Sequence, residues 1–371
     1  MSLKSKFVVL TVLLAVGTLA LGTLTIRWYS SHFPGLSRAM PALVEAVRAG
    51  NDTSPYTGLK PSPTEPDGVY YKDKVLVLMY HDIAPVPGND KTLALADFER
   101  QLQLMKENNF HWITMEQYRD FILHGAPVPD NAVLLTFDDG YESLYKYAYP
   151  VMKEHGAPAA SFLIVNTVGN PKESLPKIDW DQVREMHNDG YGFYNHTFNS
   201  HRYAPTGPDN SDRMSLIARR IYLKNEQRLE TEEEYAARVT EDLRQANEVL
   251  LRELGVPNFA FAFPYGAYSD ALLDISRELG MDITFTVKSG LNGPGQTNGY
   301  RLNAGNADND PVLQISLMKQ AEKLLGKEKT DPALVRKSVF YGSAVLVLLV
   351  GLLWLRTGWL LFRNRNRQAV P

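Results

Sequence analysis

Two adjacent aspartates follow a short and strongly apolar segment. Residues 132–137 read AVLLTF, and Asp138, Asp139 and Gly140 come next. Neighbouring carboxylates at the end of a buried strand repel each other and lose hydration, so a cation or a proton must compensate them. An N-cap at the start of a helix would explain one aspartate but hardly both. The pair therefore predicts ion-binding or acid–base chemistry, with a helix cap as the alternative.

Two histidines lie close together further along the chain. His196 and His201 stand in the run NHTFNSH, among only 8 histidines in the whole sequence. Two imidazoles and one carboxylate suit Zn²⁺ and leave a coordination position for water, although Co, Ni and Fe accept the same donors. The histidines therefore predict a metal site if the fold brings them to an aspartate. Two surface histidines in a loop are the alternative.

Two further polar groups follow apolar runs in the same way. His81 stands in the run MYHD, and Pro264 and Tyr265 stand in the run FPYG. Each run taken alone is compatible with a strand cap or a tight turn. The aspartate pair, the histidine pair, His81 and the Pro-Tyr motif all follow predicted strands. This shared position predicts that they meet at one end of the sheet.

Buried strands and helices alternate along the chain, which predicts a parallel sheet with helical crossovers. Six or more such repeats within about 250 residues favour a closed barrel over an open sheet, with function at the C-terminal ends of the strands. The predicted strands cover residues 75–79, 132–137, 159–165, 191–194, 259–263 and 283–287, and the predicted helices cover 95–109, 144–155, 181–188, 230–254 and 271–279.

The composition excludes several classes of protein. The chain has 371 residues, 39 Lys and Arg, 42 Asp and Glu, and a net charge of -3, which argues against a nucleic-acid binder. The absence of cysteine excludes disulfide scaffolds, zinc ribbons and thiol nucleophiles. Any metal must therefore be held by His, Asp or Glu.

Both ends of the chain carry apolar runs that could cross a membrane. Residues 7–26 match the roughly 20 residues that a bilayer span needs, and residues 339–355 form a second uncharged run. Lys4 and Lys6 precede the first run, and Arg363, Arg365 and Arg367 follow the second. By the positive-inside rule, both termini are cytoplasmic and the intervening chain is exported. A cleaved signal peptide is the alternative for the first run.

These features predict six consecutive regions, with one folded catalytic domain between two membrane spans. Residues 29–68, rich in Pro, Ser, Thr and Gly after the first span, are expected to be an extracellular linker. The other predicted regions are a cytoplasmic N-terminus with its anchor at 1–28, the catalytic domain at 69–325, a linker at 326–338, a transmembrane helix at 339–362 and a basic cytoplasmic tail at 363–371.

Taken together, the motifs resemble the polysaccharide deacetylase family of carbohydrate esterases, the NodB-homology proteins. The run TFDDG at 136–140 is similar to the family's first signature, and HTFNSH is similar to its histidine motif. The histidine spacing, MYHD, FPYG and Trp180 in DWDQVREM are closest to the branch that deacetylates biofilm poly-β-1,6-N-acetylglucosamine. The resemblance implies a distorted (β/α) barrel of about seven strands, here flanked by the two transmembrane helices.

The resemblance also implies roles for individual residues. Asp139, His196 and His201 would bind the metal, which lowers the pKa of its water toward ~7 and polarises the acetamide carbonyl. Asp138 would be the general base that takes the proton of this water. A backbone N–H near Tyr265 would help to hold the oxyanion.

The implied substrate is an extracellular N-acetylated polysaccharide. Poly-β-1,6-N-acetylglucosamine is the first expectation, followed by peptidoglycan and chitin-like chains. Trp180, Pro264 and Tyr265 are the expected substrate contacts, because the two aromatic rings could stack on a sugar. An exopolysaccharide synthase in the same bilayer is the expected partner.

The sequence departs from the family pattern in two places. No histidine follows His201, so the late histidine that serves many members as general acid is missing, and the stretch YRLN at 300–303 stands near its place. We therefore expect His81 to be the acid. The arginine that usually precedes the Pro-Tyr motif is also absent, which leaves the orientation of Asp138 without an obvious support.

Two other functions compete with deacetylation. Asp138 and Asp139 could be the acid and base of a glycoside hydrolase, but such carboxylates flank the bond at ~5–9.5 Å, which adjacent residues rarely achieve. A catalytically silent glycan-binding scaffold of an export complex would explain the missing acid. The charged helix predicted at 230–254 is expected to be a solvated lid or a packing helix.

Overall fold

The computed structural model describes residues 2–29, 56, 58–89, 91–173, 175–208, 213–306, 308–326 and 332–368. The chain forms two compact units, one of residues 1–57 with 328–371 and one of residues 58–327. Most of the predicted linker at 29–68 lies outside the described residues.

Among the described residues, ten strands of the large unit form one sheet, and three two-stranded pairs accompany it. The strands are β1 Val75–Tyr80, β2 Asp82–Ala84, β3 Thr92–Ala94, β4 His111–Trp112, β5 Ala132–Asp138, β6 Ala159–Leu163, β7 Gly192–Asn195, β8 Tyr203–Pro205, β9 Arg213–Ser215, β10 Tyr222–Leu223, β11 Arg228–Leu229, β12 Ala260–Ala262, β13 Ile283–Phe285, β14 Leu291–Asn292, β15 Asn298–Gly299 and β16 Leu302–Asn303.

Helices connect these strands and also make up most of the described part of the terminal unit. They are α1 Leu3–Tyr29, α2 Leu95–Glu107, α3 Met115–His124, α4 Tyr149–His155, α5 Trp180–Asn188, α6 Glu232–Leu254, α7 Asp270–Glu278, α8 Pro311–Lys319, α9 Ala321–Leu324 and α10 Pro332–Gln368, with a π-helical turn at Leu144–Ala148 and 3₁₀ turns at Val165–Thr167 and Pro264–Gly266.

The sheet confirms the predicted distorted barrel. Its strand order is β14-β1-β5-β6-β7-β12-β13-β15, with β16 beside β1 and β4 beside β5. All of these pairs are parallel except β14 with β1. The side-chain amide of Asn292 in β14 bonds to both the N–H (2.7 Å) and the carbonyl (3.0 Å) of Tyr300, which directly follows β15. The path therefore nearly closes on itself.

The strand interiors explain why the barrel forms. Every residue of β1 and β5 is buried, as expected for parallel strands covered on both faces. Inside the sheet, Phe162 and Phe285 pack edge to face with ring centroids 5.6 Å apart. Truncating either ring to alanine is expected to cost about 3–5 kcal/mol.

Helix α6 is a packing helix that begins two residues later than predicted. Thr231 accepts a hydrogen bond from the Glu234 N–H in a capping box, which starts the helix at Glu232. One face of α6, including Val239 and Leu243, is fully buried in the hydrophobic core of the large unit.

The sequence patterns missed several short elements. Strands of two or three residues, such as β8 to β11 and β14 to β16, are too short to show a periodic signal. Helix α3 was recognisable, because Thr114 and Gln117 form a capping box and Gly125 ends the helix with a φ of 67°.

The described part of the terminal unit contains two long apolar helices. Residues Leu3–Leu24 and Val339–Asn364 are each long and apolar enough to cross a membrane. Within this unit Phe7 stacks on Trp354 with centroids 5.2 Å apart, and the Trp354 indole N–H donates to Thr11 Oγ1 at 2.8 Å.

Candidate metal centre

Four parallel strands of the sheet, β1, β5, β7 and β12, deliver the predicted site residues to one end of the barrel. Asp138 ends β5, and His196 directly follows β7. His81 directly follows β1, and Pro264 comes two residues after β12. Because these strands run parallel, their C-terminal ends open on the same mouth.

Asp139, His196 and His201 form a cluster at this mouth. One potential ligand atom from each residue lies within 4.8 Å of the others. Asp139 Oδ1 is 3.4 Å from His196 Nε2 and 3.2 Å from His201 Nε2. The two histidine rings are 4.8 Å apart. Two imidazoles and a carboxylate oxygen therefore converge as the sequence predicted.

The cluster fits a divalent cation. Asp139 Oδ1 is buried and has no hydrogen-bond partner among the residues that the structure describes, a costly arrangement for a carboxylate oxygen unless a cation satisfies it. Burial alone would raise the pKa of Asp139, but the neighbouring histidines outweigh burial and lower it. The carboxylate is thus ionised and available as a ligand.

Both histidines direct Nε2 toward the Asp139 carboxylate, where it could serve as a metal ligand. His196 Nδ1 lies 2.7 Å from the Ala262 carbonyl, and since a carbonyl only accepts, Nδ1 carries the proton and Nε2 keeps its lone pair. Burial and the neighbouring His196 lower the pKa of His201 to about 4. His201 is therefore a neutral imidazole near neutral pH.

The chain reaches this geometry through a left-handed turn at the aspartates. Asp139 has a φ of 70° and Gly140 a φ of 64°. A Cβ on Gly140 would also lie 2.8 Å from Leu163 Cδ2, so glycine is needed here for two reasons. Lys177 Nζ donates to the Asp139 carbonyl at 2.8 Å and lies 3.8 Å from the centroid of the Tyr141 ring.

Asp138 points to a different partner. Its two carboxylate oxygens each accept a hydrogen bond of 2.7 Å from Arg301, and both side chains are buried. Arg301 Nε also donates to the Thr286 carbonyl at 3.1 Å. Burial alone would raise the pKa of Asp138, but the Arg301 charge, with a smaller effect of His196, lowers it.

Arg301 corrects one expectation from the sequence. The sequence places YRLN near the missing acid and predicts that Asp138 lacks its supporting arginine. Arg301 provides this support from the position just before β16, the strand that pairs with β1. The sequence contained only an isolated arginine, which has no local signature.

The loop between His196 and His201 is fixed by Asp242, whose role the sequence did not predict. The Asp242 carboxylate on α6 accepts from the N–H groups of Phe198 (3.0 Å) and Asn199 (2.9 Å) and from Ser200 Oγ (2.8 Å). Thr197 adopts a φ of 81°, which is strained for a β-branched residue. Helix α6 thus shapes the loop between the two histidines.

The remaining predicted residues surround the cluster at different distances. His81 is half-buried and directly follows β1 at the same mouth, and it makes a small contribution to lowering the pKa of Asp138 and of Asp139. Tyr265 has a φ of 59°, and its ring centroid is 4.6 Å from that of His201.

Pro264 is buried at the start of the 3₁₀ turn that carries Tyr265. Trp180 is the half-buried first residue of α5. The segment before this helix runs beside the aspartate turn, since the Ile178 N–H donates to the Gly140 carbonyl at 3.0 Å. The roles of Trp180, Pro264 and Tyr265 stay predictions.

The geometry agrees with a comparison to known families. Residues 125–284 match the family described as polysaccharide deacetylase. This chain carries a polysaccharide deacetylase domain. The domain is similar to the poly-β-1,6-N-acetyl-D-glucosamine N-deacetylase of Escherichia coli K12, with 26% identity over 275 residues that cover 69% of this chain. The match spans 39% of that relative's length.

Solved structures share the fold of the deacetylase domain. The BpsB deacetylase domain of Bordetella bronchiseptica superposes with a TM-score of 0.55 at 27% identity, over 65% of this chain and 97% of that one. The de-N-acetylase of Aggregatibacter actinomycetemcomitans superposes with a TM-score of 0.57 over 62% of this chain and 94% of that one. The latter is 24% identical and shows the fold alone.

Proposed function

We propose that this protein removes N-acetyl groups from an N-acetylglucosamine polysaccharide by hydrolysis and releases acetate. The observation that carries the proposal is the convergence of Asp139, His196 and His201 beside a second carboxylate that is held separately. Poly-β-1,6-N-acetylglucosamine is the preferred substrate, since the similar Escherichia coli protein is named for that polymer. Peptidoglycan and chitin-like chains are the next candidates.

The three-residue cluster would hold the metal, and zinc suits its donors best, although Co, Ni or Fe could also bind. A divalent ion bound there supplies Lewis acidity toward a water molecule and the acetamide carbonyl. His196 keeps its Nε2 directed to the cluster through its bond to the Ala262 carbonyl. Asp139 contributes the charge that favours a cation over a neutral ligand.

Asp138 acts as the general base. Arg301 occupies both of its oxygens with 2.7 Å bonds, which fixes the carboxylate plane and keeps the group ionised. A carboxylate oxygen has a second lone pair that can accept the proton of the attacking water. The base therefore stays charged and oriented without entering the ligand set.

His81 acts as the general acid toward the leaving amine. It follows β1 at the same mouth and influences both aspartates electrostatically. A protonated imidazole there can transfer its proton to the sugar nitrogen as the carbon–nitrogen bond breaks, which yields a free amine. Pro264, Tyr265 and Trp180 would line the path of the sugar chain.

The terminal helices are proposed to anchor the enzyme in a membrane with the deacetylase domain outside the cell. Lys4 and Lys6 before α1, and the arginines after the apolar part of α10, favour cytoplasmic termini. This arrangement would give the predicted regions 1–28, 29–68, 69–325, 326–338, 339–362 and 363–371. It would also bring the domain to a polymer that leaves a synthase in the same bilayer.

Acetate release from β-1,6-linked N-acetylglucosamine oligomers, measured with and without a chelator, tests the proposal. We expect acetate and free amines without chain shortening, and a loss of both products in the chelator. Shortened chains would instead indicate a glycoside hydrolase. The absence of product with zinc, cobalt, nickel or iron would favour a silent glycan-binding scaffold.

A further inference from the structure

Three aromatic rings form a row of contacts that begins at the candidate metal centre, with a tilted His201–Tyr265 pair (46°) followed by a stacked Tyr265–Tyr203 pair. The His201 ring lies 4.6 Å from Tyr265, and Tyr265 lies 4.2 Å from Tyr203, with an angle of 18° between the tyrosine planes. The Tyr265 ring therefore contacts both the His201 ring and the Tyr203 ring. Among the described residues, Tyr203 is the last ring of this row, and it is 46% exposed.

The hairpin that carries Tyr203 is attached to the body of the domain. Strands β8 and β9 pair through Tyr203 and Ser215, and Arg213 donates to the Tyr203 carbonyl at 2.9 Å. Just after β9, the Leu216 carbonyl accepts a 3.0 Å bond from Arg238 on α6.

Arg238 is itself fixed, because it donates to both carboxylate oxygens of the buried Glu230 at 2.7 and 2.9 Å. Tyr203 is thus presented on an anchored element, and its ring is oriented by Tyr265. Such a preorganised aromatic ring loses little conformational entropy when a ligand stacks on it.

We propose that the outer face of Tyr203 is a sugar-binding subsite for the residue next to the N-acetylglucosamine unit at the metal centre. The inference rests on the proposed function, since a polymer must continue past the reacting sugar. The apolar C–H face of a pyranose ring can stack on an exposed aromatic ring, as ligand sites with aromatic walls commonly do. Tyr265 then acts as the spacer that sets the distance between the metal ligands and this subsite.

The test compares long and short substrates in the full-length protein in detergent. The long substrate is the β-1,6-linked N-acetylglucosamine pentamer, and the short one is a small aryl acetate that is too short to reach Tyr203. For Y203A, we expect the ratio of kcat/KM for the pentamer to that for the aryl acetate to fall about tenfold, mainly through KM. Y203F and Y203W should keep the ratio.

The control is M214A, which removes another exposed apolar side chain of the same hairpin, on the opposite face by strand alternation. It should leave the ratio unchanged. Equal losses on both substrates in Y203A, or an unchanged ratio, would overturn the subsite. Zinc affinity measured by calorimetry should be the same in wild type and Y203A, and a weaker affinity would mean that Tyr203 supports the metal ligands instead.

Pentamer binding, followed by calorimetry, separates the subsite from the proposed function. If wild type releases no acetate but binds the pentamer about tenfold more tightly than Y203A, the subsite stands and deacetylation fails. If wild type releases acetate and the two proteins bind the pentamer equally, deacetylation stands and the subsite fails. If wild type neither binds nor deacetylates the pentamer, both fail.

Discussion

Arg301 and Asp138 are 163 residues apart in the sequence and share two hydrogen bonds of 2.7 Å inside the barrel. Arg301 is completely buried, and Asp138 is 3% exposed. A bidentate guanidinium–carboxylate pair fixes both the position and the plane of the carboxylate. The proposed base is therefore held by the barrel interior, whereas the proposed metal ligands are held by loops at its mouth.

Replacing Arg301 should change the pH dependence of the reaction. In R301Q the cation is lost, so the pKa of Asp138 rises and more of the base is protonated at low pH. We expect the acidic limb of the kcat/KM profile to move upward by about 1–3 pH units. R301K keeps the positive charge but loses the bidentate hydrogen bonds, so it should move the acidic limb less. An unmoved limb in R301Q would mean that Asp138 does not limit the rate at low pH.

The same pair should contribute to folding. R301M leaves the Asp138 charge buried without a partner, and we expect the free energy of unfolding to fall by about 3–5 kcal/mol. The double variant D138N/R301Q, which removes both charges, should recover part of this loss. Urea unfolding followed by circular dichroism measures the three values. If the double variant is less stable than R301M, the pair is not the source of the loss.

His81 should affect catalysis without affecting metal binding. H81N removes the proton donor, and general acid catalysis typically contributes 10²–10⁴ in rate, so kcat for the glycan should fall by about that factor. Zinc affinity should stay the same, because the ligand set is unchanged. H111Q, at an exposed histidine on β4, is the matched control. Unchanged glycan turnover in H81N would remove His81 from the mechanism.

Metal removal should lower the stability of the folded domain. A ligand at 100 times its Kd stabilises the state that binds it by about 2.7 kcal/mol, and the buried Asp139 carboxylate loses its cation when a chelator is added. We expect a lower thermal midpoint in the chelator and recovery with excess zinc. H201A should show neither response. A midpoint in wild type that is insensitive to chelator and zinc would contradict the site.

Lys177 should tune metal affinity from outside the ligand set. Its ammonium group donates to the Asp139 carbonyl and packs on Tyr141, so it helps to hold the left-handed turn that aims the carboxylate. Loss of such an outer contact typically costs 10–100-fold in metal affinity, and we expect this for K177M. K172M, at an exposed lysine five residues earlier, should bind zinc like wild type. Equal affinities in K177M and wild type would exclude the positioning role.

Much of the site was predictable because its parts carry local signals. The run AVLLTF is continuously apolar, as a strand buried on both faces must be, and the two aspartates follow at its end. The histidine pair lies within six residues after another strand. Parallel barrel strands place their C-terminal ends at one mouth whatever their order, so the sequence alone determined which side chains would meet.

The supporting residues were decided only by the tertiary structure. Arg301, Asp242 and Lys177 are single charged residues in segments without a motif, and each acts on a partner at least 38 residues away in the chain. Their roles depend on strand register, on the packing of α6 and on the turn before α5. Long-range contacts of this kind leave no periodic pattern in the sequence, because any surface charge looks the same until the fold buries it beside its partner.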